Sequence, residues 1–450
     1  MKAKPAEPTR GTALDERDLE PPLTLDVEPA RTLGTADQVV LWWNLGISLL
    51  LPVTATFLLA PGMSLVACLV AIAVGTVIGN VLLGLGARAG AETGAPAMVL
   101  LRGLFGRGGS YLPTVANLAQ CIGWATFEIV IIAETADRVI GGGWRWPCVL
   151  AAGVLATLMA VRPIAVIRTL KKYIVWLVIA STIYLFVQIA RKDLGSFTDG
   201  GWDGFWLSVD LVASLSVSWI PLAADYSRHA RDGRSAFVGA SVGYGLSSAA
   251  FFTLGVLALA SLGLAPGFDV IDALLDIPVG WLALLILVVD EVDEAFANIY
   301  STAISAQNVA PRVDRRVLAV GVGIAATLLA LGFDIVAYEN FLFLIGSVFV
   351  PLFATFAVDY YLVRRGRWDV SESAPPRLAM VIPWVVGFVT YQLLNPGLVG
   401  WWAEWWTARR DNIGFTPESW MSATLLSFAV AAVVAYGVGR LTSGGVDADQ

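Results

Sequence analysis

Apolar stretches long enough to cross a lipid bilayer recur along the whole chain, and they limit its possible folds more than any other feature. A helix needs about 20 consecutive apolar residues to span the hydrocarbon core, and in lipid the backbone must satisfy its own hydrogen bonds. Only 14% of the 450 residues are charged, well below the roughly 25% of soluble domains. We therefore predict an all-α polytopic membrane protein with about twelve transmembrane helices, at 36–60, 64–86, 111–139, 147–166, 171–190, 205–228, 236–263, 278–307, 317–332, 338–363, 378–397 and 418–440.

The distribution of Lys and Arg between the loops predicts the orientation of these spans, because basic residues concentrate in cytoplasmic loops. If the N-terminus is cytoplasmic, all but six of the 29 Lys and Arg fall on that side, the exceptions being Arg138, Arg145, Arg191, Lys192, Arg409 and Arg410. We expect a multi-pass protein of the cell inner (plasma) membrane, embedded in the lipid bilayer, with both termini cytoplasmic. The polar ends at 1–32 and 441–450 are predicted to be disordered tails.

Two spans contain helix-breaking residues at corresponding places. Small and hydroxyl residues precede Pro52 in span one and Pro221 in span six. A proline removes a backbone donor and clashes with the preceding turn, so either span alone could simply be kinked. Because the pair lies five spans apart, the pattern favours two inverted five-helix repeats whose first helices are broken. The repeats would occupy 33–190 and 205–363, followed by two additional helices at 378–440.

Polar side chains line one face of span three, within an arc of roughly 80° on a helical wheel: Asn117, Gln120, Trp124, Glu128 and Thr135. Hydrogen bonds between helices could account for the amides without any ligand. A buried carboxyl without a defined partner is costly, so Glu128 is harder to explain in that way. Trp124 offers a flat apolar surface one turn before it. The pattern favours a site for a planar ring over packing alone.

Four carboxyls fall within five residues of span eight: Asp290, Glu291, Asp293 and Glu294. A charged side chain at the bilayer centre costs about 2.5–3.5 kcal/mol even on the most lenient scale. These groups must therefore face a protein interior or a hydrated cavity, which indicates a transport path. Asp290 or Glu291 could instead lie near the end of the span and contact water, whereas Asp293 is expected to lie deeper.

Enzyme and nucleic-acid functions find no support in the sequence. It contains neither a zinc-binding HExxH motif nor a GxSxG elbow, and its glycine-rich segments lack the P-loop lysine. The three cysteines have no metal-site spacing, and His229 is expected to be an interfacial residue. We predict no enzymatic activity, no organic cofactor and no nucleic-acid partner.

Several short motifs occur in an order that resembles the nucleobase–cation symporter-1 family, which includes cytosine, purine, allantoin and hydantoin permeases. They extend from about Leu33 to Arg367 and comprise Glu92-Thr-Gly-Ala-Pro96, Arg102-Gly-Leu-Phe-Gly106, Gly123-Trp124, Trp219-Ile-Pro221, Ala224-Asp-Tyr-Ser-Arg228, Asn298-Ile-Tyr-Ser301 and Asp359-Tyr-Tyr-Leu-Val-Arg-Arg365. The resemblance implies a LeuT-type fold of five plus five helices. Phe127-Glu128 and the segment 290–298 most resemble the cytosine and hydroxymethylpyrimidine permease branch.

The same resemblance implies roles for individual residues. Trp124 matches the tryptophan that stacks on the substrate, and Asn298 matches a ligand-binding asparagine. Glu128 stands where the family has a hydrogen-bonding glutamine. The aromatic residue that covers the ligand from span six falls near Ser216, so Trp219 could replace it. Gln120 joins this candidate substrate set from the polar face of span three.

Sodium-coupled members of the family hold the ion with carbonyls in span one and a Ser/Thr pair in span eight. The corresponding carbonyls are those of Gly46 and Leu49, and the pair becomes Val292 and Asp293. Na⁺ is thus a possible coupling ion, with Asp293 as an oxygen donor. A carboxyl removed from water can also carry a proton itself, and the loss of both hydroxyls favours proton coupling.

These observations predict a secondary transporter that imports a nucleobase-like heterocycle, such as cytosine, hydroxymethylpyrimidine or a related pyrimidine or purine, together with a proton or sodium. One alternative keeps the fold and makes the cargo another small solute such as an amino acid. A channel or a membrane-embedded enzyme that uses the acidic cluster is the remaining alternative.

Overall fold

The computed structural model describes residues 23–26, 29–59, 62–161, 163–262, 269–333 and 338–443. The regular structure within these ranges is helical, apart from two isolated bridges that pair Leu33 with Ala230 and Met63 with Gly201. The predicted tails at 1–32 and 441–450 lie mostly outside the described residues.

The helices of the first half are α1 (Thr35–Leu45), α2 (Leu50–Leu59), α3 (Leu65–Thr93), α4 (Ala97–Leu100), α5 (Arg102–Gly109), α6 (Tyr111–Val139), α7 (Arg145–Val161) and α8 (Pro163–Ile189). Those of the second half are α9 (Phe205–Ser218), α10 (Ile220–Ser227), α11 (Gly233–Val238), α12 (Gly245–Leu262), α13 (Asp269–Leu275), α14 (Gly280–Val309), α15 (Arg315–Gly332), α16 (Tyr338–Ala357), α17 (Val381–Leu394), α18 (Gly400–Asn412) and α19 (Ala423–Ser443). Short 3₁₀ turns lie at Thr24–Asp26 and Leu378–Met380, and π-helical segments at Gly239–Tyr244 and Val358–Val363.

Each of the twelve predicted spans coincides with a helix or with a run of adjoining helices. Among the described residues, seven helices are long and apolar enough to cross a membrane, or eight if the bent pair α1–α2 is one span. The other four predicted spans correspond to α7, α8, α14 and α17, which are shorter in their apolar part or, in α14, carry the acidic cluster. The division into repeats at 33–190 and 205–363 stays a prediction.

Span one is broken, as the sequence predicts. The helix α1 ends at Leu45, α2 begins at Leu50, and the two axes are bent by 68°. Pro52 lies in the first turn of α2, where the missing N–H has no intrahelical partner to lose. At the break itself, a Cβ on Gly46 would lie 2.2 Å from Ser247 Oγ, so only glycine permits this close approach to span seven.

Span six has a milder interruption than span one. The helix α9 ends at Ser218, and α10 begins at Ile220 with Pro221 in its first turn. Around Trp219 the backbone switches to i→i−3 bonds, from Trp219 N to Ser216 O at 3.3 Å and from Leu222 N to Trp219 O at 3.0 Å. The two helices nevertheless continue as one apolar span, Phe205–Ser227.

Glycines on α3 bring span two into backbone contact with span six. A Cβ added to any of them would fall within 3.0 Å of an atom of α9 or α10: Gly75 (Val212 Cβ, 2.7 Å), Gly79 (Ala213 O, 2.8 Å), Gly86 (Ile220 Cγ2, 2.9 Å) and Gly90 (Ala224 Cα, 2.5 Å). Small residues at such intervals let membrane helices approach closely. Span six is thereby held against span two on one side while its other side faces the centre of the bundle, where α6 packs along α14.

Candidate functional site

A small, largely enclosed cavity of about 20 Å³ lies where spans one, three, six, seven and eight meet. Trp124 and Glu128 line it from α6, Asn298 lines it from α14, and Trp219 lines it from the interruption in span six. Four of the six residues predicted for a substrate site are thus brought together. Breaks in the first span of each half deliver loop-like backbone to the same place, which is how broken helices form sites in membrane transporters.

Two pairs of side chains, each one helical turn apart, border this cavity. The pair Trp124 and Glu128 projects from α6, and the pair Glu294 and Asn298 projects from α14. Residues four apart share one face of a helix, so each pair forms a continuous patch. Glu128 is 3% exposed and Glu294 is 2% exposed.

Several polar atoms in these pairs have no protein partner. They are Oε2 of Glu128, Oε1 of Glu294 and Nε1 of Trp124. Buried polar groups in native proteins are nearly always hydrogen-bonded, and leaving one unsatisfied costs about 1–3 kcal/mol. Three such atoms border one cavity, which makes it the candidate site.

Aromatic rings form two walls of the cavity. The ring of Trp124 is perpendicular to Phe341 and Tyr338 of span ten, with centroids 5.3 Å and 5.9 Å away. Trp219 packs against Trp42 at 6.2 Å and Tyr244 at 5.9 Å. Edge-to-face packing of this kind fixes ring orientation, so Trp124 is held rigidly as a surface for a planar ligand.

Glu291 holds the break in span one. Its carboxylate accepts hydrogen bonds from Ser48 Oγ and from the amide of Leu49, both at 2.7 Å. It is 1% exposed, and Asp290 is 6% exposed, so neither contacts water at the end of the span. Glu291 also contacts the carboxyl of Glu128. The first turn of α2, whose amides carry partial positive charge, is thus covered by a carboxylate of the protein itself.

Two of the predicted substrate residues lie outside the cavity lining. Gln120 donates from Nε2 to Asn117 Oδ1 at 3.0 Å and to the carbonyl of Ser218 at 3.1 Å, so it links spans three and six. Ser216 accepts from Asn80 Nδ2 at 3.0 Å and faces span two. Ser216 is satisfied by span two, whereas Oε1 of Gln120 is buried without a protein partner.

The residues predicted to hold a cation are spread along the break. Gly46 packs against span seven, and the amide of Leu49 donates a hydrogen bond to the carboxylate of Glu291. Asp293 is half-buried and accepts from Asn44 Nδ2 at 2.7 Å. Within the described ranges, no group of three or more His, Cys, Asp or Glu side chains is arranged to hold a metal ion. The oxygen donors that remain at these positions are the two backbone carbonyls and the carboxylate of Asp293.

Some residues of the site were missed in the sequence. Glu294 lies one turn before Asn298, and this spacing of four could have identified it. Tyr244 comes from a π-helical segment of span seven that carries no polar pattern. Ser48 enters because the break at 46–49 turns its hydroxyl toward Glu291.

A wider cavity of about 480 Å³ lies beside Phe127 and Phe341. Its polar side chains are already used, because Asn340 Oδ1 accepts from the amide of Leu398 and Gln392 Oε1 accepts from Trp402 Nε1. Thr126 Oγ1 donates to the carbonyl of Ile122 at 2.8 Å, and the remaining lining is apolar or aromatic. It therefore lacks the unpartnered polar atoms that mark the central cavity as the site.

A family model described as a permease for cytosine/purines, uracil, thiamine and allantoin matches residues 27–374. The chain belongs to this permease family. It is therefore a transporter and not an enzyme. Among curated relatives, the putative purine-cytosine permease YxlA of Bacillus subtilis is 26% identical over 362 residues, 74% of this chain and 77% of that protein. The cytosine permease of Escherichia coli is 25% identical over 308 residues, 64% of this chain and 70% of that protein.

Solved transporter structures share the fold. Mhp1, a nucleobase-cation-symport-1 family transporter, aligns in a closed conformation with bromovinylhydantoin bound, at a TM-score of 0.73 and 17% identity, over 95% of this chain and 96% of that one. MhsT in complex with L-phenylalanine aligns at a TM-score of 0.54 and 15% identity, over 90% of this chain and 98% of that one. The predicted all-α, LeuT-type architecture is confirmed.

Proposed function

We propose that this permease is a secondary active transporter that imports a small planar nitrogen heterocycle of the cytosine type together with a cation. The observation that carries the proposal is the enclosed cavity in which Trp124 and Glu128 face the pair Glu294 and Asn298. Its rigid aromatic wall and unpartnered polar atoms suit a flat ring with polar edges. The relatives named for cytosine and purines, and the hydantoin bound to Mhp1, support the same class of cargo.

The break in span one argues against an amino acid as cargo. In LeuT-type transporters the amides of a broken helix receive the substrate carboxylate. Here the carboxylate of Glu291 already accepts from Leu49 N, and Glu128 and Glu294 line the same cavity. An anionic substrate would meet three carboxyls and no basic side chain. A neutral or cationic heterocycle avoids this repulsion.

Glu128 favours a 4-aminopyrimidine over uracil. Two carboxyls in contact do not both ionise, because adjacent negative charges repel strongly. The carboxylate of Glu291 accepts two hydrogen bonds, which leaves the proton to Glu128. A protonated Glu128 can donate to a ring nitrogen and accept from an adjacent amino group. That pattern matches the N3/4-amino edge of cytosine or of 4-amino-5-hydroxymethyl-2-methylpyrimidine. Uracil presents an N–H beside a carbonyl, which the amide of glutamine would suit equally well.

Uptake in a permease-deficient host tests this selectivity. Cells that express the unmutated protein should accumulate labelled cytosine in preference to uracil, and unlabelled 4-aminopyrimidines should compete. The Glu128→Gln variant should erode the preference while it keeps side-chain size. Equal uptake of cytosine and uracil by the unmutated protein would contradict the proposed role of Glu128.

We propose cation symport, with a proton favoured over sodium. The bond from Asn44 to Asp293 connects the acidic helix α14 to the end of α1, so a charge change there would act directly on the break in span one. Val292 supplies no oxygen donor in place of the family's hydroxyl. Uptake should persist when choline replaces sodium and should collapse with a protonophore. Strict sodium dependence at constant pH would instead assign Asp293 to sodium.

We also propose that the protein lies in the cell inner membrane with both termini in the cytoplasm, as the loop charges indicate. A fluorescent protein that folds only in the cytoplasm, fused after Gln450, should be bright in cells. A dark fusion with active transport would reverse the orientation.

A further inference from the structure

Two carboxyl oxygens without a hydrogen-bond partner border the central cavity. Its carboxyl oxygens at Glu128 Oε2 and Glu294 Oε1 have no partner. Three side chains of the lining already donate hydrogen bonds within the protein. Ser48 Oγ donates to Glu291, Ser218 Oγ donates to Leu215 O at 2.6 Å, and Asn298 Nδ2 donates to Glu294 O at 3.1 Å. The indole N–H of Trp124 is an unpartnered donor, and Tyr244, which carries a hydroxyl, also lines the cavity. A ligand that brings N–H donors can complete the hydrogen bonding of the two carboxyl oxygens.

The two unpartnered oxygens belong to different helices. Glu128 stands on α6, one turn from Trp124, and Glu294 stands on α14, one turn from Asn298. Both side chains are at least nine-tenths buried, and neither Lys nor Arg occurs among the lining residues. A ring with N–H donors at two positions can meet both oxygens at once.

We infer that Glu294 is a second specificity-determining residue, and that the preferred substrate is a planar heterocycle with N–H donors on two separate edges. This inference rests on the proposed function and narrows it. Glu128 would recognise the 4-amino edge, as argued above. Glu294 would accept from a second amino or ring N–H group, in a molecule that is neutral or cationic. Pyrimidines and purines with two amino substituents are the simplest compounds of this class.

Matched pairs of probes test the inference by calorimetric titration of purified protein. The pairs are 4-aminopyrimidine with 2,4-diaminopyrimidine and adenine with 2,6-diaminopurine, which differ within each pair by one amino group. The diamino member should bind about tenfold more tightly, as expected for one additional hydrogen bond to a charged or buried acceptor. Equal affinity within both pairs overturns the inference even if no variant can be purified.

Variants then assign the effect to Glu294. Glu294→Met removes both acceptors at similar length and should reduce the tenfold ratio to about twofold or less, whereas Glu294→Gln retains one acceptor and should restore part of it. Asp290→Asn removes an acid one turn earlier on the same helix, outside the cavity lining, and should leave the ratio unchanged. A purely structural role for Glu294 would weaken both members of a pair equally, which also overturns the inference.

The proposed function and this inference fail in different ways. If folded, thermally stable protein binds none of the four probes and no cytosine, the heterocycle transporter itself is wrong. If the probes bind and Glu294→Met leaves their ranking intact, the transporter stands and the role of Glu294 is wrong.

Discussion

Two buried carboxylates hold the first turns of helices in this protein, and they do so with the same chemistry. Glu291 accepts from Ser48 Oγ and Leu49 N, both at 2.7 Å. Asp210 accepts from Ser422 Oγ at 2.5 Å and from Ala423 N at 2.8 Å, at the start of α19. In both places a carboxylate offsets the partial positive charge of a helix N-terminus and satisfies amides that lack intrahelical partners.

The surroundings of the two groups differ. The helix held by Glu291 is half of a broken span, and Glu291 contacts a second carboxyl, Glu128, beside the cavity. The bonds of Asp210 fasten span twelve to span six, away from the cavity lining. The comparison teaches that a capping carboxylate in a membrane protein is structural by default. It becomes part of a transport site where the helix that it holds is broken and a cavity adjoins it.

Alanine substitution of each carboxylate should separate the two roles. Asp210→Ala and Glu291→Ala should each destabilise the protein by about 2–4 kcal/mol, because buried donors lose a charged acceptor. Only Glu291→Ala should also abolish substrate uptake. Thermal melting in detergent and uptake in proteoliposomes measure the two effects. Altered cytosine selectivity in Asp210→Ala, or normal uptake in Glu291→Ala, would remove the distinction.

Asp293 lies two residues from Glu291, and its substitution should have a third effect, which is loss of coupling without loss of substrate binding. Asp293→Asn keeps the shape of the side chain and can still accept from Asn44 Nδ2, so substrate binding should change by less than about 1 kcal/mol. Gradient-driven accumulation should fail because the asparagine carries no charge to couple. Equilibrium exchange of labelled substrate, compared with uphill uptake, separates these steps. Full accumulation by the variant would assign coupling elsewhere.

Two buried tryptophans extend the comparison between site and scaffold. Trp124→Ala should weaken substrate binding by about 1–3 kcal/mol, by analogy with base–aromatic stacking, and Trp124→Phe by less. Trp384 is the matched control, because its Nε1 is already bonded to the carbonyl of Val348 at 2.8 Å. Trp384→Ala should lower the melting temperature and leave affinity unchanged. Unchanged affinity in folded Trp124→Ala would make Trp124 a packing residue.

His229, at the end of span six, gives the smallest expected effect and a baseline for pH. Burial, assisted by Arg228, lowers the pKa of His229 from 6.5 to about 4. Below pH 6.5 the unfolded chain binds a proton at His229, whereas the folded protein binds it only below about pH 4. The free energy of unfolding therefore decreases as the pH is lowered from 6.5 towards 4. Between pH 7 and pH 5 the loss is about 1–2 kcal/mol. The melting temperature of His229→Asn should depend less on pH over this range than that of the unmutated protein. An equally steep pH dependence would exclude His229 as the cause.

The sequence predicted the elements of the site better than their contacts. The prolines located the breaks and the polar face of span three located Trp124 and Glu128, because these signals are local. The family resemblance located Asn298 in span eight. A helical wheel cannot distinguish four acids on one arc of α14, since their depth and partners depend on where α2 starts. The 68° bend that brings Leu49 to Glu291 is a tertiary feature.

Ser216 shows that a position in the sequence does not determine the partner of a side chain. Its position in span six is near the site, but the glycines of α3 bring span two close enough for Asn80 to bind it. Pro52 and Pro221 both fall in the first turn of a helix, so the prolines do not account for the difference between the 68° bend of span one and the milder break of span six.

The glycine contacts between α3 and span six determine which parts of the bundle can move separately. Helices in such close contact cannot slide past each other without steric clashes. We therefore expect α3 to move together with α9 and α10 in any tilt that opens the cavity. A methyl group at Gly79 would meet Ala213 O at 2.8 Å and Ser216 Cβ at 2.8 Å. The moving unit in alternating access would then comprise α3 together with α9 and α10, and it would tilt against spans three and eight.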